Sequence, residues 1–266
     1  MNAITATHTT ALRTGPATTI NRHLKGEWTK LRTLPSTWRT AVFAVALALG
    51  FTVVVDLSEA SLTAQQRHGF DATSASLFGV IIAATLLGAL AVRTVTAEYA
   101  TGMIRSTFSA MPTRRLVLAA KAATVAAFVL PVALLCDVAG FELGQRIFAA
   151  KHIQVVLSHP GVPRAIAFGA VAASLVAIIG VGLGGLIRHT AGATMTLTLI
   201  IVGDVTLGQL LPAGLRQYLP GTAVQAAITV HRSSGLLAPD AAIAVLGAYA
   251  AIALAAALIR VAHQDA

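Results

Sequence analysis

The sequence predicts an all-α integral membrane protein: six transmembrane helices, both termini on the cytoplasmic side, and an amphipathic interfacial helix ahead of the first span. Three observations predict it. Hydrophobic residues make up 56% of the 266 residues and charged residues only 11%, about half of what a water-facing globular surface carries. The apolar residues are gathered into blocks of about 18 to 23, each able to cross a hydrocarbon layer of roughly 30 Å as a helix. The charges lie between the blocks and differ in number from one side to the other. A soluble enzyme is excluded. The net charge of +9 needs no nucleic acid, because cations flanking apolar blocks meet anionic lipid and set orientation.

Residues 1–19 are rich in Thr and Ala and lack an apolar signal core, so they read as a disordered cytoplasmic tail with no cleavable signal. Residues 20–266 then form one membrane-embedded domain. From Ile20 to Leu34 the spacing is helical: Ile20, Leu24, Trp28, Leu31 and Leu34 fall within an arc of about 120°, with Arg22, Lys25 and Arg32 opposite. This is an interfacial helix. Glu27 projects into the apolar arc, where lipid disfavours a carboxylate, so either a protein partner or Lys30, one turn away, receives it. Pro35 ends the helix, and residues 36–38 turn the chain into the membrane.

The spans follow at about 40–57, 75–92, 122–141, 165–187, 190–211 and 241–259. Pro131 inside the third is expected to kink it without ending it. Arg188 and His189 leave room only for a tight return, and residues 213–240 form a long mixed segment before the last span. With the amino terminus inside, the regions Arg13–Arg39 and Arg93–Lys121 together with Arg188 and Arg260 place 13 of the 19 Lys and Arg residues on one side. Cationic loops resist translocation, so that side is the cytoplasm.

The cytoplasmic stretch from Ala97 to Arg105, running on through Arg114, Arg115 and Lys121, is too long for a turn and too polar for lipid. Glu98 and Arg105 stand two helical turns apart and so share a face, and Gly102 between them allows close approach of another backbone. A solvated basic loop would account for the arginines but not for Glu98, Tyr99 and Gly102. Asp137 and Asp204 lie in or near the hydrocarbon, where ionisable residues are costly and face a cavity or a substrate or proton path; for Asp137, near the outer end of its span, simple contact with water is the alternative. Their flanks lack the patterns of intramembrane aspartyl proteases. Gly180, Gly182 and Gly185 match G-x-G-x-x-G with Asp204 downstream, but no strand precedes them, and small residues inside a span suit helix packing. No phosphate loop is present, so the chain does not hydrolyse ATP itself. The eight histidines form no metal motif, and the single Cys136 permits no internal disulfide.

Four segments carry a family likeness: GEWTKLRTLPSTW at 26–38, TAEYATGMIRSTFSAMPTRRLVLAAK at 96–121, IRHTAGA at 187–193 and YLPGTAVQAAI at 218–228. With the topology, they resemble ABC-2-type transporter permeases of actinomycete character over residues 20–266. The resemblance implies a permease subunit in a bacterial plasma membrane, paired with a second copy or a similar chain and driven by two copies of a separate cytoplasmic ATPase that binds the ATP. It implies export, an interface helix at 20–34 in which Glu27, Trp28, Lys30 and Arg32 take part, and a coupling element drawn from Glu98, Tyr99, Gly102 and Arg105. It also implies short outer helices within 213–238. A stand-alone ion-coupled carrier and a membrane-embedded enzyme are the alternative classes.

Overall fold

The architecture follows from where prolines, glycines and small residues fall. The structure, a computed structural model, describes residues 16–63, 70–102, 114–204, 208–230 and 235–263. All regular structure among them is helical. The chain opens with α1 (Pro16–Thr33). It starts four residues earlier than the amphipathic pattern, since proline is favoured in a first turn where its missing N–H costs nothing; of the disordered tail expected at 1–19, residues 16–19 are therefore helical, and 1–15 lie outside the described residues. Only Leu34 separates α1 from α2 (Pro35–Ser61), and it is extended (φ −77°, ψ 115°), as a residue before proline must be. The turn expected at 36–38 is therefore absent: Pro35 starts the next helix instead of merely ending the last. Trp38 Nε1 donates to the carbonyl of Arg32 at 2.9 Å, satisfying one of the acceptors that α1 leaves open at its end.

A short helix α3 (Ala72–Ser76) leads into α4 (Val80–Ala100). The long α5 (Arg114–Ala149) keeps Pro131 inside it. Then come α6 (Val162–Ile187), α7 (Thr190–Thr198), which continues as a π turn over Leu199–Gly203, a 3₁₀ turn (Gly208–Leu210), α8 (Ala213–Arg216), α9 (Pro220–Ala227) and α10 (Pro239–His263). Five stretches among the described residues are long and apolar enough to cross a membrane: Pro35–Ser61, Ala72–Ala100, Arg115–Ala149, Val162–Ile187 and Pro239–His263. They point to a multi-pass membrane protein.

The span expected at 190–211 comes out shorter. Its apolar helix is Thr190–Gly203, which rises only about 21 Å. Beyond it Asp204 accepts hydrogen bonds from the Thr222 N–H at 2.9 Å and the Thr222 hydroxyl at 3.3 Å. This ties the helix end to the first turn of α9, whose residues are buried from Pro220 to Val224. The chain folds back onto the bundle at this point. The return at Arg188 and His189 is as tight as expected: Arg188 is left-handed (φ 59°) and the His189 ring accepts from the Gly192 N–H at 3.3 Å.

Helix α6 is the hub, packing on α4, α5 and α10. Its glycines explain why. A Cβ on Gly180 would lie 2.5 Å from the Gly88 carbonyl oxygen of α4, and one on Gly182 would lie 2.7 Å from that of Ala253 in α10. The G-x-G-x-x-G pattern thus spreads over two faces of one helix and serves two helix contacts, as close packing in lipid requires. Helix α2 shows the same inversion of the soluble pattern: Ala41, Ala44, Ala48 and Thr52 are buried while Val42, Phe43, Leu47 and Val54 face outward.

Candidate functional site

At the end of the bundle where α1, the last turn of α4 and the first turns of α5 meet, four charged side chains interlock. The helical repeat of α1 places Glu27 and Lys30 on one face, and Lys30 Nζ lies 2.8 Å from Glu27 Oε1. Lys30 Nζ also reaches Glu98 Oε1 at 3.1 Å. Lys121 Nζ lies 2.6 Å from Glu27 Oε2 and 2.7 Å from Glu98 Oε1. Each carboxylate therefore bridges both lysines, and the four groups join three helices. Lys121 and Glu98 are 3% and 6% exposed, while the Lys30 side chain stays 44% exposed. Burial alone would push the Glu27 carboxyl up, but Lys121 and Lys30 outweigh it and hold it below the usual carboxylate range. Burial would likewise lower Lys30, yet Glu27 and Glu98 raise it. Every charge in it is paired, although both lysines meet Glu98 through Oε1 and its buried Oε2 has no hydrogen-bond partner among the described residues; removing one partner strands a buried charge at a cost of about 3–5 kcal/mol.

Sequence reasoning reached half of this junction. Glu27 does find Lys30, as its place in the apolar arc required. The unbroken helix expected to carry both Glu98 and Arg105 is not formed: α4 ends at Ala100, and Gly102 is left-handed (φ 70°), with its N–H bonded to the Tyr99 carbonyl at 3.3 Å. Glycine at that place stops a helix. A Cβ there would meet nothing within 4 Å, so no backbone among the described residues approaches it. Arg105 lies outside the described residues. Glu98 turns inward, so it braces the bundle and does not present its carboxylate to an external surface. Tyr99 is half-buried beneath the Arg188 guanidinium, 4.9 Å from its ring centre. Trp28 is exposed, as is Arg32, and neither joins the junction.

The residue missed was Lys121, read only as the end of the cytoplasmic stretch that runs on from Ala97. It belongs to the apolar stripe Leu118, Lys121, Val125, Phe128 of α5, and a lone lysine at a core position of a helical repeat was the available signal.

The carboxylates at the other end are arranged differently. Asp71 caps α3, accepting from the N–H groups of Thr73 at 2.9 Å and Ser74 at 3.3 Å, and it also accepts from the Val230 N–H at 3.0 Å. Burial would raise its pKa, but these donors bring it below the ordinary value. Asp204 is bound to α9 and so holds a fold-back in place. Asp137 is buried against Gly169, and its Oδ2 has no hydrogen-bond partner among the described residues. Asp56, which the sequence reading did not single out, is fully buried with neither oxygen partnered among the described residues, in a niche that Gly144 leaves open beside Ser76. Among the described residues no group of three or more His, Cys, Asp or Glu side chains could hold a metal ion. Compared with known protein families and with curated proteins, the chain matches none.

Proposed function

We propose that the chain is the membrane subunit of an ATP-binding cassette exporter of the ABC-2 type, working as a pair of permeases and driven by a separate cytoplasmic ATPase. The observation that carries this reading is the four-charge junction. It fastens an amphipathic surface helix to the ends of two spans on the side richest in Lys and Arg. A displacement applied to α1, or to the segment 103–113 between α4 and α5, would then reach the membrane through a stiff joint and not through a loose loop. A chain with no phosphate loop can be driven by ATP only through such a contact. The coupling surface proposed here is the outward face of α1, with Trp28 and Arg32, together with the segment that holds Arg105. Glu98 and Lys121 brace it from inside.

The test is co-purification with an ATPase encoded beside the chain, followed by its hydrolysis rate in proteoliposomes. Glu98→Gln should leave membrane insertion intact while uncoupling hydrolysis from transport. An ATPase whose association and hydrolysis are indifferent to Glu98, Arg32 and Arg105 would overturn the reading. Asp56 and Asp137, buried without partners, favour one other reading, an ion-driven carrier. It predicts transport that persists without ATP and stops in Asp56→Asn.

A further inference from the structure

A cavity of about 410 Å³ opens beside the junction, between the end of α1, the start of α2 and the last three turns of α4. Its walls are apolar at Leu31, Leu34 and Leu90 and hydroxylic at Ser36 and Thr94, and Arg93 lines it as well. Within it the two carboxylates of Glu27 and Glu98 are matched by Lys30 and Lys121. Arg93 is left over. It is exposed, and its guanidinium makes no hydrogen bond or ion pair with any described residue. The cavity therefore carries one uncompensated positive charge beside a greasy wall.

Its depth is fixed by its neighbours. Arg93 directly follows the apolar run of α4, and Trp28 and Trp38 are both exposed nearby on α1 and α2; tryptophans and arginines in that position mark the headgroup layer. We propose that this cavity is a binding site for a single anionic phospholipid, its phosphodiester on the Arg93 guanidinium and its upper chain carbons along Leu34 and Leu90. A planar guanidinium with free donors suits a phosphate better than an ammonium does, and the apolar walls suit an acyl chain and not a free anion. A lipid seated here touches α1, α2 and α4 together, so its occupancy would bias how firmly the interfacial helix is held. The inference needs only the membrane reading and is independent of an ATPase.

Native mass spectrometry of the purified full chain, with equal amounts of dioleoyl phosphatidylglycerol and dioleoyl phosphatidylcholine, tests it. The expected result is one phosphatidylglycerol bound in preference by about fivefold, the scale of one cation beside an anionic headgroup. The preference should vanish in Arg93→Gln, persist in Arg93→Lys and disappear in Thr94→Trp, which fills the cavity without removing charge. Arg260→Gln, at an exposed cation elsewhere, should keep it. Equal binding of the two lipids, an unchanged preference in Arg93→Gln or Thr94→Trp, or displacement by millimolar inorganic phosphate would overturn the proposal; the last outcome would make this a free-anion site.

Discussion

The two ends of the bundle treat buried carboxylates in opposite ways. Where α1 crosses the ends of α4 and α5, Glu27 and Glu98 are matched in charge one for one by Lys30 and Lys121, and only Glu98 Oε2 is left without a hydrogen-bond partner among the described residues. At the far end, Asp71 and Asp204 are satisfied by backbone N–H groups and hydroxyls, while Asp56 and Asp137 keep oxygens with no partner. The first arrangement fixes geometry, because four charges in low dielectric tolerate little displacement. The second fastens short elements by caps and leaves two acids whose state depends on what enters the protein.

The largest effect that separates the ends is expected at Lys121. Lys121→Met leaves Glu98 and Glu27 facing each other in a buried site, and the loss of stability should be about 3–5 kcal/mol. The double variant Glu98→Gln/Lys121→Met should lose less than the two single changes together. Thermal unfolding of the purified chain in detergent measures both. Strictly additive losses would mean that the four groups do not act as a network.

At the far end the corresponding change is steric. Gly144→Ala places a methyl group against Ser76 and Asp56, and overpacking of this kind costs about 1–3 kcal/mol. Asp56→Asn, in contrast, replaces a buried carboxyl that has no partner among the described residues and should leave the melting temperature unchanged or raise it. If Asp56→Asn destabilises the chain as strongly as Lys121→Met does, then Asp56 has a partner and the contrast between the ends fails. Smaller still, Asp204→Asn keeps an acceptor for Thr222 and should cost less than Asp204→Ala, for which a lost cap implies about 0.5–2 kcal/mol. Hydrogen exchange over residues 220–227 would show where that loss falls.

Much of this was legible in the sequence because lipid imposes simple rules. Apolar blocks gave the five long helices, Arg188 and His189 gave the tight return, and glycines inside an apolar run gave close packing in place of nucleotide binding. Helix ends were less legible: α2 and α10 run from Pro35 and Pro239 well past their apolar blocks, since a helix need not stop where lipid does. The fold-back after Asp204 was hidden because its partner Thr222 is 18 residues away, a distance that no local pattern spans. Lys121 was hidden by its company, three residues beyond Leu118 but read with Arg114 and Arg115. Gly102 was visible, but its local role was not read: a glycine closing a polar helix end is first a stop signal.

The smallest expected effect, and the finest probe of the charged end, is its pH dependence. Glu27 is held below its ordinary carboxylate range, so its contribution is present at neutral pH and is lost as pH falls through its depressed value. Lys30 is raised above its ordinary range, so its contribution is complete at neutral pH and is lost only as pH rises through that raised value. Docking of α1 should therefore be flat around neutrality and loosen first in acid. Because Lys30 is nearly half exposed, its share is screened and should be below about 1 kcal/mol. The chain has two tryptophans, Trp28 on α1 and Trp38 at the start of α2, both exposed and both at this end. Intrinsic fluorescence followed from pH 7 downward should thus report the acid release directly. Glu27→Gln should remove the acid limb, since an amide neither titrates nor binds Lys121 as a charge, while Asp71→Asn should leave it in place. An acid limb that survives in Glu27→Gln would assign the release to another group and return α1 to a helix held by its apolar face alone.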